Sequence, residues 1–318
     1  MQKLSDLFIN LNDKPDSRIL QQIRLHPDYE DGMLDDVEDA SWLFCGADFN
    51  ALEDKIGAVL SGDTNKKKEC AQGFDGHSLR AAVFFPEELP EIDMDDKDSV
   101  NMIKKDFPDI RAKAKAPSFS LQYGGGPGKI QRLLACSKDR AKQVYDAYHN
   151  LYSGLAVFAK QNEMHARNKG YVTCAFGLRL RTPVLKREAA KERLSEAGSS
   201  EARSSSNAVT QSWGMLTNRA IAEFEEIIKN SEFSKQVRFC NTIHDAIYLL
   251  VKKDPKVVKF VNDTLIKCME WQEGIVKSEE VKLGAELDIG ISWDKQYTLS
   301  NWMSEEDIEK FMKERGLI

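Results

Sequence analysis

Several features that define other protein classes are missing from this sequence of 318 residues. No apolar run approaches the ~20 residues of a membrane-spanning helix, and the N-terminus lacks a signal-peptide pattern, so we expect no membrane partner. The six cysteines form no CxxC pair, which argues against a disulfide framework or a zinc ribbon. A reducing, intracellular setting in the cytoplasm is therefore expected.

An excess of positive charge is also missing, since 45 Lys and Arg face 51 Asp and Glu, for a formal net charge of -6. This balance does not exclude nucleic acid, because binding depends on where the cations lie. Residues 104–129 carry six Lys or Arg against two Asp, whereas residues 91–98 carry five acids and one Lys. We therefore expect a local basic face on a globular protein of about two domains.

The stretch RAKAKAPSFSLQYG carries a pattern typical of a helix with one functional face. Arg111, Lys115, Phe119 and Tyr123 recur at every fourth position, and Gly124 follows. Steps of four advance ~400° around a helix, so these side chains form one stripe, with two cations at one end and two aromatic rings at the other. This face suits a ligand with a polyphosphate and a flat base; the alternative is an amphipathic helix with a snorkelling cationic edge.

Two aspartates lie at the ends of strand-like segments that are far apart in the chain. Asp48 ends the apolar segment 41–49, and Asp245 lies between segments 236–243 and 247–251, which are predicted to form a hairpin. A carboxylate at the end of a buried strand is costly unless it is paired or binds a metal, and two converging carboxylates suit Mg²⁺. Two ions ~3.5–4 Å apart would support an in-line phosphoryl displacement. The alternatives are a helix cap for Asp48 and a turn residue for Asp245.

Together these motifs resemble those of family A (DNA polymerase I-like) DNA polymerases, in the family's order and in a form closest to the phage branch. DFNALED, which begins at Asp48, resembles motif A, the 111–124 stretch resembles motif B, and His244-Asp245 resembles motif C. Three further segments resemble family motifs: GFDGH at 73–77, GYVTCAFGLRLRTP at 170–183, and the R-x3-N-A-x2-Q spacing of Arg203, Asn207 and Gln211. A phage-encoded member of the family would act in the host cytoplasm.

The resemblance implies an α+β fold, namely a polymerase palm with a small antiparallel sheet and an inserted helical fingers subdomain. The expected division is palm at 1–54, fingers at 55–195 with the motif B helix at 111–124, and palm again at 196–318. Only 47 residues precede Asp48, which is too few for the family's thumb and exonuclease domains. We therefore expect an incomplete right-hand fold, either a split-polymerase subunit or a fragment.

Local patterns predict further elements around these motifs. Helices are predicted at 50–60, 77–85, 129–135, 138–151, 155–169, 207–229, 255–268 and 304–316, a hairpin at 170–183 and a final strand at 283–293. Residues 63–68 and the acidic segment with Pro86 and Pro90 are predicted to be loops, and 186–206 to be first helical and then loop-like. Residues 1–40 are predicted to be an exposed lead-in.

The resemblance also implies a two-metal site for nucleotidyl transfer. The implied metal ligands are Asp48, Asp245 and the backbone carbonyl of Phe49, with two Mg²⁺ ions per site and Mn²⁺ as the alternative ion. The implied contacts to the phosphates of the incoming dNTP are Arg111, Lys115 and His77. Lys115 would also protonate the leaving pyrophosphate as a general acid.

Other family roles concern the nucleoside and the DNA. Phe119 would pack under the sugar and base, Tyr123 and Gly124 would lie where the templating base stacks, and Glu53 would exclude a ribose 2′-OH. The implied contacts to primer–template DNA are Arg203, Asn207 and Gln211 in the minor groove and His244 at the primer end. Each has a structural alternative, such as a surface acid for Glu53, core aromatic rings, or a helix cap for His77.

Three departures from the family pattern stand out. Ala246 lies where motif C has a third carboxylate, which predicts altered metal handling. Pro117 falls inside the motif B helix and is expected to kink that helix or restart it. Phe119 stands where many members have Tyr, which implies discrimination against dideoxynucleotides.

The sequence thus predicts a DNA-directed DNA polymerase core that needs a partner polypeptide carrying the thumb and exonuclease domains, and that works with a processivity factor. A non-catalytic DNA-binding accessory subunit is the alternative, suggested by Ala246 and the missing thumb. A single-subunit RNA polymerase relative is a second alternative, against which Glu53 argues because such enzymes lack an acid at that position.

Overall fold

The structure, a computed structural model, describes residues 41–318, which belong to two compact units. The described part of the first, called here the sheet unit, comprises residues 41–50, 214–271 and 283–318. The second, called here the helical unit, comprises residues 51–213 and 272–282. The lead-in predicted at 1–40 lies outside the described residues.

The chain forms many helices and few strands. The strands are β1 (Trp42–Phe49), β2 (Tyr171–Thr173), β3 (Arg179–Arg181), β4 (Val237–Ile243), β5 (Ala246–Lys252), β6 (Ala285–Ser292) and β7 (Lys295–Leu299). The α-helices are α1 (Leu52–Ser61), α2 (Thr64–Gln72), α3 (Gly76–Phe84), α4 (Lys97–Asp106), α5 (Pro108–Gln122), α6 (Pro127–Leu134), α7 (Lys138–Leu151), α8 (Ser153–Lys169), α9 (Pro183–Arg187), α10 (Glu196–Gln211), α11 (Leu216–Lys229), α12 (Pro255–Met269) and α13 (Glu305–Glu314). This composition confirms an α+β fold with a small antiparallel sheet.

The sheet unit is built on five antiparallel strands in the order β4-β5-β1-β6-β7. Side chains alternate between the two faces of a sheet, and directly opposite residues share a face. Ala47 lies opposite Ile247 on one side and Leu287 on the other, and all three are fully buried. Helix α12 packs on strands β1, β5 and β6, so the core of this unit lies between α12 and the sheet.

The core of the helical unit is assembled from one apolar stripe on each of several helices. Phe84, Ile103, Leu121, Ile130 and Tyr152 belong to one buried cluster, to which α3, α4, α5, α6 and the junction of α7 with α8 contribute. Their burial orients α3, which begins within the GFDGH segment, and α5, which carries the four-residue stripe. Strands β2 and β3 form a separate short hairpin.

Two sequence predictions of loops are wrong for a common reason. Helix α2 occupies most of 63–68, because Asp63 caps it by accepting a hydrogen bond from Lys66 N at 2.8 Å. The charge of Lys66 suggested exposure, yet Lys66 is buried and ion-paired to Asp54 and Glu69. Helix α4 forms in the acidic segment, where the carboxylate of Asp96 accepts a hydrogen bond from a backbone N–H at its first turn.

The prediction of a single helix at 207–229 is also wrong. Helix α10 begins upstream at Glu196, capped by Ser195, and the 3-10 turn Ser212–Met215 separates it from α11. The Ser-rich end of 186–206 is therefore helical rather than a loop. Strand β7 follows the strand that was predicted to be the last.

Helix α5 begins at Pro108 and continues through Pro117, so the predicted restart at Pro117 does not occur. Pro117 is buried inside the helix, and the next residue, Ser118, donates its hydroxyl to the carbonyl of Ala114 at 2.6 Å. The helix ends at Gln122, and Gly124 adopts φ 75°, a left-handed conformation that glycine adopts without strain. The predicted end of the helix at the glycine run is confirmed.

The other predicted elements are confirmed, with ends that differ by a few residues. These are β1, α1, α3, α6, α7, α8, the β2–β3 hairpin, β4, β5, α12, β6 and α13. Ser304 caps α13 by accepting a hydrogen bond from Asp307 N, as its Ser-x-x-Asp pattern predicts. All six cysteines lie within the described part and are free thiols. Across residues 41–318, no helix is long and apolar enough to span a membrane.

Candidate active site

The two predicted aspartates meet at one end of the five-stranded sheet. Asp48 is the penultimate residue of β1 and lies opposite Ala246 of β5, which directly follows Asp245. Ile243 pairs with Ala246, so His244 and Asp245 form the two-residue turn of the β4–β5 hairpin. His244 adopts φ 57°, which a two-residue hairpin turn requires and which His tolerates better than most residues. The tight turn therefore holds Asp245 beside the end of β1.

The charge around Asp48 is strongly negative. Asp48 lies opposite Glu286 on its other side, and Gly46, two residues earlier, lies opposite Asp288, so all three acids share one face of the sheet. Partial burial and then the negative charge of Asp245 raise the pKa of Asp48, while a hydrogen bond from the backbone N–H of Phe49 acts in the opposite direction. Neighbouring like charges disfavour the ionised form of a carboxyl group, and a bound cation would relieve this repulsion.

The donor set at this end of the sheet fits Mg²⁺. Within residues 41–318, no group of three or more His, Cys, Asp or Glu side chains is arranged to hold a metal ion. Asp48 and Asp245 supply two carboxylates, which is the number that Mg²⁺ commonly uses when substrate phosphates and waters complete its shell. Ala246, on the same face as Asp48, supplies no ligand.

In the helical unit, Arg111 of α5 is held by a carboxylate that the sequence reasoning missed. Its Nε and Nη2 donate to the two oxygens of Asp75 at 2.8 and 2.7 Å. Asp75 also caps α3 by accepting a hydrogen bond from Ser78 N. Burial alone would raise the pKa of Asp75, but these hydrogen bonds hold that pKa well below its usual range. Asp75 thereby joins the first turn of α3 to α5, and an Asp at the N-cap before His77 was the signal for it.

His77 lies in that first turn of α3, beside the stripe on α5. The edge of its ring contacts Phe119, with ring centroids 5.3 Å apart. Burial, followed by the positive charges of Arg80, Arg111 and Lys115, lowers the pKa of His77 to about 4. Phe119 is 48% exposed, which is unusual for a large aromatic side chain, and Lys115 is exposed. His77, Arg111, Lys115 and Phe119 are therefore brought together, as predicted for one ligand-binding face.

A second group of predicted residues forms around Tyr123. Its hydroxyl donates to Glu53 Oε2 at 2.9 Å, and Gln211 hydrogen-bonds to the same side chain. Partial burial and the bond to Glu53 raise the pKa of Tyr123 to about 12, so the phenol stays protonated. Asn207 Nδ2 donates to the carbonyl of Tyr123 at 3.3 Å. Helices α1, α5 and α10 are thus connected through one tyrosine.

Gly124 is required where α5 meets α10. Besides its positive φ, a Cβ at Gly124 would lie 3.2 Å from Cγ of Arg203. A cavity of about 500 Å³ lies beside the tyrosine group. Its walls include Glu53, Gly124, Arg203 and Asn207.

The chain matches the family model described as DNA polymerase family A over residues 36–295. It is 23% identical over 267 residues to DNA polymerase I of Chloroflexus aurantiacus, an alignment that covers 83% of this chain and 25% of that protein. It is 28% identical over 144 residues to a DNA polymerase of Mycobacterium phage D29, covering 45% of this chain and 21% of that protein. This chain thus spans a quarter or less of the length of these relatives.

Among solved structures, the POL domain of Pol1 from M. smegmatis, in complex with DNA primer-template and dNTP, has a similar fold. The TM-score is 0.65 at 22% identity, and the match covers 79% of this chain and 40% of that chain. The likeness extends over the α+β architecture described above. Because the family model covers well over half of the sequence, this chain belongs to DNA polymerase family A.

Proposed function

We propose that this chain carries the nucleotidyl-transfer centre of a DNA-directed DNA polymerase, which transfers deoxynucleotides from dNTP to a primer 3′-OH. The observation that carries the proposal is the pairing of β1 with β5, in which Asp48 lies opposite the residue that follows Asp245. Two carboxylates from distant segments thereby share one end of a sheet. Membership of DNA polymerase family A supports the same reaction.

Asp48 and Asp245 would hold two Mg²⁺ ions, or Mn²⁺ in their place, with the backbone carbonyl of Phe49 as a further ligand. When bound, the ions would stabilise charge on the attacking and leaving oxygens of the displacement. Ala246 cannot add a third carboxylate, so the two aspartates would be the main protein ligands. Partial burial and then the charge of Asp245 raise the pKa of Asp48, and a bound cation would offset that charge.

Arg111, Lys115 and His77 would bind the triphosphate of the incoming nucleotide. A guanidinium carries five N–H donors, so Arg111 can bind a phosphate without releasing Asp75. Lys115 is exposed one turn along the same face of α5, where it would donate a proton to the leaving pyrophosphate. His77 completes a face on which Phe119 supplies an exposed ring for the sugar and base.

Tyr123 and Glu53 would control which nucleoside enters. Their hydrogen bond fixes the Glu53 carboxylate, which would then exclude a ribose 2′-OH by its bulk. Tyr123 and Gly124 would mark the stacking position of the templating base. Arg203, Asn207 and Gln211 lie on one helix beside them and would line the minor groove of the primer–template, and His244 would support the primer end.

In this proposal, residues 1–54 and 196–318 act as the palm and residues 55–195 as the fingers. Processive synthesis would draw on a thumb-bearing polypeptide with its exonuclease domain and on a processivity factor. The matching relatives are several times longer than the region that aligns with this chain, and these additional segments would correspond to the partner's domains in the proposal. Similarity to a mycobacteriophage enzyme supports a role in phage replication in the host cytoplasm.

The test is single-nucleotide primer extension with Mg²⁺, with dNTP and rNTP in parallel, by the wild type and by Asp48→Asn and Asp245→Asn. We expect dNTP addition only, reduced by at least about 10³-fold in either variant, since each removes a carboxylate that binds the ions. The matched control is Asp254→Asn, the same change at the N-cap of α12, past the other end of β5. Equal activity in the aspartate variants and the control would overturn the proposal.

A second candidate function is a DNA-binding accessory subunit without catalysis, which Ala246 in place of a motif C carboxylate favours. It predicts primer–template binding without extension by any form of the chain, even when a thumb-bearing polypeptide is added. Extension that depends on Asp245 would exclude it.

A further inference from the structure

A cluster of buried charges lies behind His77 in the helical unit. Arg80, Lys66 and Glu69 are each at most 5% exposed. Lys66 Nζ lies 2.8 Å from Glu69 Oε1 and 3.0 Å from Asp54 Oδ2, and Arg80 Nη1 lies 3.3 Å from the same oxygen of Glu69. Burying such charges is costly even when they are paired. Apolar residues would fill this space at a lower cost in free energy. Stability alone therefore does not explain the cluster, and the neighbouring His77 suggests a function for it.

The first turn of α3 is shaped around this cluster. A Cβ at Gly76 would lie 2.1 Å from Glu69 Oε1 and 2.9 Å from Arg80 Nη2, so only glycine fits beside the ion pair. Arg80 Nη1 also donates to the hydroxyl of Tyr152 at 3.2 Å. The guanidinium is therefore fixed on two sides, directly under the residue that precedes His77.

In the contact between Arg80 and His77, Arg80 is necessarily the hydrogen-bond donor and His77 the acceptor. Arg80 Nη2 lies 3.4 Å from His77 Nδ1. A guanidinium has donors and no acceptor, so the hydrogen bond forms only if Nδ1 is unprotonated and accepts. In a neutral imidazole the proton then resides on Nε2, which becomes a donor.

We propose that Arg80 is a positioning residue that fixes His77 as the neutral Nε2–H tautomer, so that His77 offers one hydrogen-bond donor to a phosphate oxygen and no charge. This deepens the proposed function, on which the phosphate as ligand rests. The protonation state follows from all the groups around the ring. Arg80 lies on its own helix, Arg111 and Lys115 on α5, Asp54 on α1 and Asp75 at the N-cap, with the Phe119 ring at its edge. Burial and the three cations outweigh the carboxylates and lower the pKa of His77 to about 4.

The first test is imidazole ¹⁵N NMR of the nucleotide-free chain, which is tractable because the sequence has five histidines and His77→Gln assigns one of them. At pH 7 we expect the shifts of a pure Nε2–H tautomer for His77. In Arg80→Met we expect a mixture of tautomers and a pKa higher by at least about one unit, because a donor and a cation are removed. Arg167→Met, which removes an ion-paired arginine of α8 instead, is the control and should leave His77 unchanged.

A protonated Nδ1 in the wild type, or a tautomer and pKa unchanged in Arg80→Met, would overturn the proposal. A protonated Nδ1 in the wild type would overturn the proposal even if Arg80→Met fails to fold. Arg80→Lys is a conservative second variant, which keeps a cation and a donor near Glu69 and should retain at least part of the Nε2–H signal.

The second test is the pH dependence of dNTP affinity between pH 8 and 5. Titration of the nucleotide itself cancels in the ratio of Kd values of Arg80→Met and wild type. As His77 gains charge in the variant, that ratio should fall about threefold toward pH 5, whereas a merely structural loss would leave the ratio constant. No dNTP binding by either protein would remove the proposed ligand and leave the NMR result for the tautomer standing.

Discussion

Asp75 shows how one residue can organise a site although the sequence reasoning gave a role only to its neighbour His77 in the GFDGH segment. Its carboxylate caps α3 and binds Arg111 with two hydrogen bonds, so it connects His77 to the helix that carries Lys115 and Phe119. Charge-assisted, bidentate pairs of this kind combine strength with fixed geometry. We infer that Asp75 sets the spacing between the residues that would bind phosphate.

We expect Asp75→Asn to lower the free energy of unfolding at pH 7 by roughly 1.5–3 kcal/mol, since Asn keeps the helix cap and removes the charge that binds Arg111. Because the pKa of Asp75 is depressed in the folded state, its contribution is fully present above the unfolded pKa of about 4 and is lost as pH falls through the folded value. The difference between wild type and variant should therefore stay constant from pH 7 to pH 4 and shrink below pH 4. Urea unfolding at several pH values measures it.

The control for this change is Asp96→Asn, the same substitution at the N-cap of α4. It should change the stability by a few tenths of a kcal/mol, as expected where the cap alone matters. An equal loss in both variants would show that the pairing with Arg111 adds nothing.

At the scale of an element, α5 combines the stripe that we propose to bind the nucleotide with a helix-breaking residue. Pro117 has no N–H to donate to the carbonyl of Lys113, one turn earlier, and lies between Lys115 and Phe119. The side chain of Ser118 already binds the neighbouring carbonyl of Ala114. Helix α5 is therefore weakest in the middle of the stripe.

We expect Pro117→Ala to raise the free energy of unfolding by about 1–2 kcal/mol. A proline inside a helix costs about 3 kcal/mol, from which the lost packing of the buried ring must be subtracted. Amide hydrogen exchange should show stronger protection along the second half of α5.

Pro108→Ala serves as the control within the same helix. Pro108 occupies the first turn, where a missing N–H removes no helical hydrogen bond, so this variant should not gain stability. A similar gain for both substitutions, or none for either, would contradict the explanation.

At the scale of the whole molecule, charge decides how this chain would bind DNA in the proposed function. A formal net charge of -6 means that no general attraction to phosphates exists and that binding depends on local cations. The β2–β3 hairpin exposes Arg179 and Arg181, and Arg203 is exposed on α10. A few such contacts allow binding but leave it sensitive to salt.

We expect the affinity of the chain for primer–template to fall roughly 40-fold between 50 and 200 mM salt, the loss that corresponds to about three neutralised phosphates. Extension in the presence of a DNA trap should accordingly stop after a few nucleotides. Arg181→Ala should reduce the slope of log K against log salt by about one. Lys142→Ala, an exposed cation of α7 that is paired with Asp146, should leave the slope unchanged. Long products with the trap present would refute this prediction.

Much of the fold followed from local patterns. The apolar run of β1, the four-residue stripe of α5 and the cap of α13 depend on neighbours along the chain, and all three elements were predicted. The errors arose where contacts with residues distant in the sequence determine the local structure. Helix α2 looked like a polar loop because Lys66 is charged, and its burial depends on partners from other turns and helices.

The sequence by itself determined the family and the chemical types at the site, because motif spacing records which side chains share a face. It identified Asp48, Asp245 and the cation–aromatic stripe. The tertiary structure alone decided which groups touch: the pairing of Asp75 with Arg111, the bond between Tyr123 and Glu53, and the place of Arg80 under His77. The first two contacts join residues 36 and 70 positions apart, which only packing brings within hydrogen-bond distance, and the third joins residues three positions apart on α3.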